Sequence, residues 1–344
     1  MEVTGKLQPT AAHYADGIMV VDDDFGDDRL KGNQHKGMVL LKHADGSTER
    51  RFIKTDKINL TRGPAFRPEY DVQFASVGEA ISSCLVRSLV PDVDFPCVDY
   101  QFEVIREHGK LVTATSSANY VVPGTLEMVL TDNDQNPYLH YRVTPDEFID
   151  QIALCKVNAE IMTSMRGFYE RYLVDRNLAQ HFIVQQAAFD FLLGNADRKE
   201  NLANTIFLAH RQQLVTPLNF DYNRCLNLGW PETTNAAFMR GQVQLGDAGI
   251  EADYLDSIYT VKRETPTKGL FGNSAVAAEN VRFMQEQGFV RFRIDTAKLR
   301  AELDQTCTRI AQLAPHLKYV ARTKANVLLR ALAAERNHEL WEEA

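Results

Sequence analysis

The sequence predicts a two-lobed α+β protein, with a β-rich N-terminal lobe over residues 1–122 and a helical lobe over residues 123–344. Three observations predict it. Short alternating apolar runs and turn signals dominate the first third. Helical apolar periodicity takes over from about Thr144. An apolar helix then runs into Gly194-Asn195, followed in order by Asp197, Asn201 or Asn204, a short hairpin and Asp221.

Along the chain, Gly37 to Lys42 reads as a strand, Ala44-Asp45-Gly46-Ser47 as a turn with the Asp-Gly signal, and Arg50 to Lys54 as the return strand. Ser76 with Glu79 three residues later forms a capping-box pattern, opening a helix from about Val77 to Leu89 that Pro91 ends. Cys97–Ile105 and Leu111–Thr115 make a second hairpin around Glu107-His108-Gly109-Lys110. The link between lobes falls between Thr113 and Gly124. Helices follow at Pro145-Asp146-Glu147, about Ala159–Val174 and Leu178–Leu193. Thr205–Ala209 and Leu214–Leu218 read as a hairpin around His210–Gln213. Further helices cover about Ala275–Gln287, Asp295–Leu313 and Lys318–Asn337.

Composition narrows the class. With 44% apolar and 24% charged residues, the 344-residue chain is ordinary for a globular protein. A net charge of −8 argues against nucleic acid as a direct partner. No apolar run is long enough to span a membrane. Met1 to Gly5 lacks the basic and apolar parts of a secretory signal. Cys84, Cys97, Cys155, Cys225 and Cys307 are odd in number and dispersed, as reduced thiols of a cytoplasmic protein would be.

Several polar residues carry chemistry by type and order. Gly32-Asn33-Gln34-His35-Lys36-Gly37 precedes a strand, where two glycines let backbone N–H groups close over phosphates; a polar hairpin start is the plainer reading. Lys54 ends an apolar strand, either turned into a cleft toward α- and β-phosphates or standing on the surface. Glu79 either completes the capping box or forms an ion pair with Lys54. Asp197 is placed to accept the proton of an incoming hydroxyl, or belongs to a solvated loop with Arg198, Lys199 and Glu200. Asp221 is placed to hold Mg²⁺, or is an exposed loop acid. Asn201 and Asn204 compete for the metal amide. The expected hairpin register sets residue 204 opposite residue 219, with Asn201 roughly 10 Å further along an extended chain, so Asn204 is preferred. Together these residues follow the order in which a protein kinase lays out phosphoryl transfer.

The chain resembles the HipA-like kinase family, in its short form without the extra N-terminal subdomain. Gly32 to Leu41 is similar to the family's Gly-x-Gln-x-Lys nucleotide loop and strand, Phe52-Ile53-Lys54 to its lysine strand, and Glu79 to Pro96 to its Glu-led helix and the segment after it. Phe189 to Arg198 resembles the helix ending in Gly-Asn-x-Asp-Arg, and Thr216 to Leu226 the Pro-x-x-Asp segment. The chain departs from the family pattern after the base, with Lys199 in place of a His and Leu202 in place of the amide. The resemblance implies an ATP- and Mg²⁺-dependent kinase of protein Ser/Thr hydroxyls. Lys54, Glu79 and Asp197 would be its catalytic residues, Gly32 to Gly37 with Lys54 its nucleotide site, and Asp221 with Asn204 or Asn201 its metal ligands. It further implies a toxin–antitoxin or growth-control role beside a small DNA-binding antitoxin. A small-molecule or phosphoinositide-type kinase and a non-catalytic nucleotide-binding scaffold are the alternatives.

Overall fold

In the computed structural model the chain is described at residues 9–23, 25, 34–58, 75–91, 95–118, 125–127, 157–170, 176–195, 205–210, 213–219, 221–222, 225–226 and 277–344. Strands β1 (Thr10–Ala15) and β2 (Ile18–Val21) form a hairpin that the sequence reading passed over. Its signal was present: Asp16 and Gly17 take φ 52° and 77°, the left-handed pair of a type I′ turn. β3 (Gln34–Lys42) pairs antiparallel with β4 (Thr48–Ile58), and the Asp45 carboxylate accepts the Ser47 N–H at the turn, as the Asp-Gly signal predicts. β5 (Tyr100–Glu107) and β6 (Lys110–Ala118) form the second predicted hairpin, turning at His108 and Gly109 with φ 47° and 77°.

These six strands do not stay an open pair of hairpins. β6 pairs with β4, β1 runs parallel to β3, and β2 runs parallel to β5, so the sheet closes in the order β1-β2-β5-β6-β4-β3. Closure leaves no edge with unpaired backbone groups. Ala12, Met19, Val21, Phe25, Val39, Leu41, Ile53, Ile105 and Ala114 fill the barrel. Thr113 to Ser117 are paired with β5, and Ala114 to Ala118 with β4, so residues 113–118 of the stretch expected to hold the inter-lobe link are strand.

Helix α1 (Ala75–Ser88) lies between β4 and β5 in sequence. Later come β7 (Thr125–Glu127), α2 (Asn158–Glu170), α3 (Arg176–Leu193), β8 (Thr205–His210) and β9 (Gln213–Asn219), then α4 (Ala277–Glu286), β10 (Phe292–Ile294), α5 (Thr296–Leu313), α6 (Lys318–Ala333) and β11 (Trp341–Glu343). The described helical spans agree with the apolar periodicity to within a turn. Asp295 caps α5, its carboxylate accepting the Lys298 N–H at 2.8 Å. β10 and β11, a parallel pair of three residues each, were too short to show a period.

A capping box does not open α1. Ser76 lies inside the helix, and its N–H and hydroxyl both reach the carboxylate of Asp56 on β4. A residue twenty positions upstream thus serves the helix N-terminus and frees Glu79. The β8–β9 register also differs from expectation by one residue. A bulge beside Leu208 sets Thr205, not residue 204, opposite Asn219.

α1 is buried from Ala75 through Leu85. One side lies against the barrel. The other shares a single core with Phe182 and Phe189 of α3, Leu299 and Leu303 of α5, and Val320 and Leu328 of α6. Polar ties bind α1 to α5: Cys84 Sγ donates to Thr306 Oγ1 at 3.2 Å, and Arg87 bridges Glu302 and Asp99, each at 2.6 Å. Arg309 of α5 also reaches β5, donating to Phe102 O and Glu103. Cys84, Cys97, Cys225 and Cys307 are in no disulfide, and burial pushes Cys84 up to about 11 and Cys307 up to about 12. Cys155 and the helix expected at Pro145 lie outside the described residues. Among those described, no helix is long and apolar enough to cross a membrane.

Gly37 is required by packing, since a Cβ there would fall 1.9 Å from the carbonyl oxygen of Phe25. Gly37→Ala must push two backbone segments apart and is expected to cost about 2 kcal/mol or more, measured as a lower midpoint of urea unfolding. An unchanged midpoint would remove this account of the glycine.

Candidate functional site

Three residues far apart in sequence meet on the outer face of the barrel, between β4 and α1. Lys54 is on the face of β4 opposite Ile53, whose side chain belongs to the barrel core. Lys54 therefore points out of the barrel toward α1. Its Nζ donates to Glu79 Oε1 at 2.7 Å and to Asp221 Oδ1 at 2.6 Å. Glu79 is fully buried, and its second oxygen accepts the Thr115 hydroxyl of β6 at 2.6 Å. The ion-pair reading of Glu79 therefore prevails over the capping reading.

Asp221 arrives by a separate route. Asn219, at the end of β9, pairs with the segment before β5: its N–H donates to Pro96 O, and its carbonyl accepts the Val98 N–H at 2.8 Å. Its side chain accepts from Gln186 of α3 at 3.0 Å. Two residues on, Asp221 takes φ 64°, a left-handed conformation that Asp tolerates better than most residues but that still costs about 1 kcal/mol. Its N–H donates to the Tyr100 hydroxyl at 3.4 Å, while the Tyr100 ring meets Tyr222 edge-on at 5.8 Å. Tyr222 is fully buried against Phe189. Apolar packing thus holds a strained backbone that aims the carboxylate at Lys54.

The electrostatics follow from burial. Desolvation pulls the Lys54 ammonium down, but Asp221 and Glu79 together pull it back further, so it stands above the ordinary lysine range. Burial, with the nearby Asp221 charge, pushes the Glu79 carboxyl up, while Lys54 opposes the shift. Two carboxylates face one ammonium. Asp221 keeps 17% of its side chain exposed, so the negative excess of the cluster opens outward.

The remaining expected residues divide. Gln34 to Gly37 are strand rather than loop. Gln34 Nε2 donates to Thr55 O at 3.0 Å. His35 lies against Glu107 Oε1 at 2.9 Å and edge-on to Phe25. Lys36 stands opposite Lys54 across β3 and β4, hence on the same face of the sheet. Gly32, Asn33, Asp197, Asn201 and Asn204 lie outside the described residues. The turn leading toward Asp197 is described as far as Asn195. Gly194 at φ 60° closes α3 in a Schellman pattern, with Asn195 N–H on Asp190 O and Gly194 N–H on Phe191 O. The Asn195 amide also donates to the Asp190 carboxylate at 2.9 Å. The sequence reading missed Asp56, Tyr100, Thr115 and Lys324. Their roles depend on partners 20 to 121 positions away, or, for Lys324, nearly a hundred.

No protein-family profile matches the chain, and no curated protein is similar to it. Among solved structures it is similar to the crystal structure of a Helicobacter pylori proinflammatory kinase, CtkA. The likeness has 11% sequence identity and covers 90% of this chain and 91% of that one, with a TM-score of 0.47. At that identity and score the likeness decides neither fold nor chemistry.

Removing Lys54 strands two carboxylates. Lys54→Met is expected to destabilise the protein by about 3–5 kcal/mol, and adding Glu79→Gln to recover at least about 1 kcal/mol through their coupling. Urea unfolding of the single and double variants measures both. Strictly additive effects would mean that the pair does not act as a unit.

Proposed function

We propose that the chain is an ATP- and Mg²⁺-dependent phosphotransferase with a bilobal, HipA-like kinase architecture, acting on the Ser/Thr hydroxyl of a protein. One observation carries this reading: a buried lysine on a barrel strand, held by a fully buried helix glutamate and facing a partly open aspartate that follows a short hairpin. A structural ion pair needs one carboxylate. Two carboxylates on one ammonium, the second held in a left-handed conformation with one side open, suit a site for a second cation and a polyanion.

The donor set fits Mg²⁺, a hard cation that takes oxygen ligands. Asp221 would hold it, with Asn204 or Asn201 as the amide ligand. Bound Mg²⁺ neutralises charge on the phosphates being transferred. The Lys54 ammonium would orient the α- and β-phosphates, and Glu79 would keep that ammonium in place. Lys36, on the same sheet face, would add positive charge, and the backbone of Gly32 to Gly37 would lie over the phosphates. Asp197 would accept the proton of the acceptor hydroxyl as the phosphoryl group arrives. Positioning and charge stabilisation are the whole task, because phosphoryl transfer asks little covalent chemistry of the protein. A growth-control role in the cytoplasm, with a small DNA-binding antitoxin as partner, belongs to the same proposal.

Purified protein with Mg²⁺ and labelled ATP tests this. MgATP at a hundred times its Kd should stabilise the fold by about 2.7 kcal/mol, seen as a raised melting temperature. No shift with any nucleotide would overturn the reading. Asp221→Asn should lose Mg²⁺-dependent affinity and turnover together. Asp197→Asn should keep nucleotide binding and lose turnover by about 100-fold or more. Binding without turnover in the wild type would instead identify a nucleotide-binding scaffold.

A further inference from the structure

Helix α6 carries a lysine that this scheme does not use. Lys324 is 4% exposed, and no carboxylate among the described residues lies within ion-pair distance of it. Its ammonium donates instead to two backbone carbonyls, Leu226 O at 3.1 Å and Cys225 O at 3.5 Å. Burial pulls Lys324 down to about 8, partly opposed by Cys225 and by Asp56 at the end of β4, the ionisable groups whose charges reach it. A charge in so unfavourable a place calls for a reason beyond packing, which an apolar side chain would serve better.

The two carbonyls belong to the segment that carries Asp221. The Cys225 N–H donates to Tyr222 O at 3.0 Å, and the Leu226 N–H to Leu193 O, the last residue of α3, at 2.7 Å. Leu226 takes φ 51°, a conformation that leucine rarely adopts. The segment therefore begins and ends in a left-handed residue, Asp221 and Leu226. Aromatic packing and Tyr100 hold its first half. In its second half Cys225 and Leu226 are buried in the core, the Leu226 N–H donates to Leu193 O, and the Lys324 ammonium holds the two carbonyls. Charge-assisted donors are stronger than neutral ones, which suits a backbone that does not relax there by itself.

We propose that Lys324 is the positioning residue of Asp221: its ammonium clamps the Cys225 and Leu226 carbonyls to α6 and so keeps the aspartate aimed at Lys54 and at the divalent cation. The catalytic half of this statement rests on the phosphotransferase reading; the clamp itself does not.

Lys324→Met in the full-length protein separates the two. Amide hydrogen exchange in peptides covering Asp221 to Leu226 should accelerate by about tenfold or more, with α6 itself still protected. If the protein turns over MgATP, the Mg²⁺ concentration for half-maximal rate should rise severalfold, and excess Mg²⁺ should restore much of the rate. Lys324→Arg, which keeps the charge and the donors, should restore part of both. A purely structural lysine predicts the opposite pattern: exchange rising across α6 and the core alike, with the Mg²⁺ dependence unmoved. That pattern, or unchanged exchange at Asp221–Leu226, overturns the proposal. If both variants fail to fold, the wild type decides. Exchange of this segment relative to α6, corrected for intrinsic rates, should climb as pH rises through about 8 and the ammonium loses its proton; a flat ratio rejects the clamp. A wild type that neither binds nor turns over nucleotide removes the phosphotransferase reading and leaves the exchange data to judge the clamp.

Discussion

The buried ammonium of Lys54 is the interaction on which the rest of the arrangement depends. A lysine out of water is costly unless a carboxylate meets it, and a carboxylate out of water is costly unless something meets it in turn. Glu79 can be fully buried because Lys54 and Thr115 occupy its two oxygens. Lys54 can be buried because Glu79 and Asp221 approach from two sides. Three elements with no sequence proximity, β4, α1 and the turn after β9, are thereby fixed at one point. Moving any of them by a few ångströms would leave a charge without its partner in a poor solvent.

That constraint explains why α1 is built of small residues. Its first half reads Ala75-Ser76-Val77-Gly78-Glu79-Ala80 and is buried on every side. Bulky side chains would keep the helix axis away from β4 and lengthen the Lys54–Glu79 contact. Asp56 serves the same end by taking the Ser76 N–H and hydroxyl, which leaves the Glu79 side chain nothing to cap. On the far side, Cys84, Arg87 and Ser88 tie the helix to α5 and to its capping residue Asp295. A helix so enclosed cannot swing Glu79 away from Lys54 without opening the shared core. A change in the geometry of the site is cheaper in the Asp221 turn than in α1.

The local features of the fold could be read from sequence, and the non-local ones could not. Asp45-Gly46, the apolar period of α3 and the capping residue Asp295 act within a few residues, and each element appeared where its signal stood. The β1–β2 hairpin had an equally local signal at Asp16-Gly17, which the reading overlooked. Barrel closure is different in kind. It depends on β1 lying parallel to β3 and β2 parallel to β5, pairings that no turn residue announces. The bulge in β9 shifted a register that a symmetric hairpin would have kept, and one residue of slip is enough to change which side chain stands beside the site. Lys54, Glu79 and Asp221 were legible as candidates because their types and order carry chemistry. The Lys54–Glu79 pair stood in the sequence beside a capping alternative; that Asp221 also reaches Lys54 was not legible, since it could have faced solvent in an equally ordinary protein.

Lys324 shows the limit of reading by residue type. In sequence it is one cation on an amphipathic helix, flanked by Thr323 and Ala325, and nothing distinguishes it from Lys318. Only the packing of α6 under the Cys225-Leu226 carbonyls turns it inward. Lys54 and Lys324 then differ in one respect. The first has carboxylate partners that raise its proton affinity; the second is hydrogen-bonded only to carbonyls, and burial lowers it against the weaker pull of Cys225 and Asp56. Carbonyls are weaker compensation than charges, so the energy of holding Lys324 in place is not returned locally. It is spent beside the turn that presents Asp221, where a left-handed aspartate and a left-handed leucine also persist against their preference. Strain and a buried charge without an ion-pair partner, gathered around one carboxylate, mark that carboxylate as the group whose position matters most.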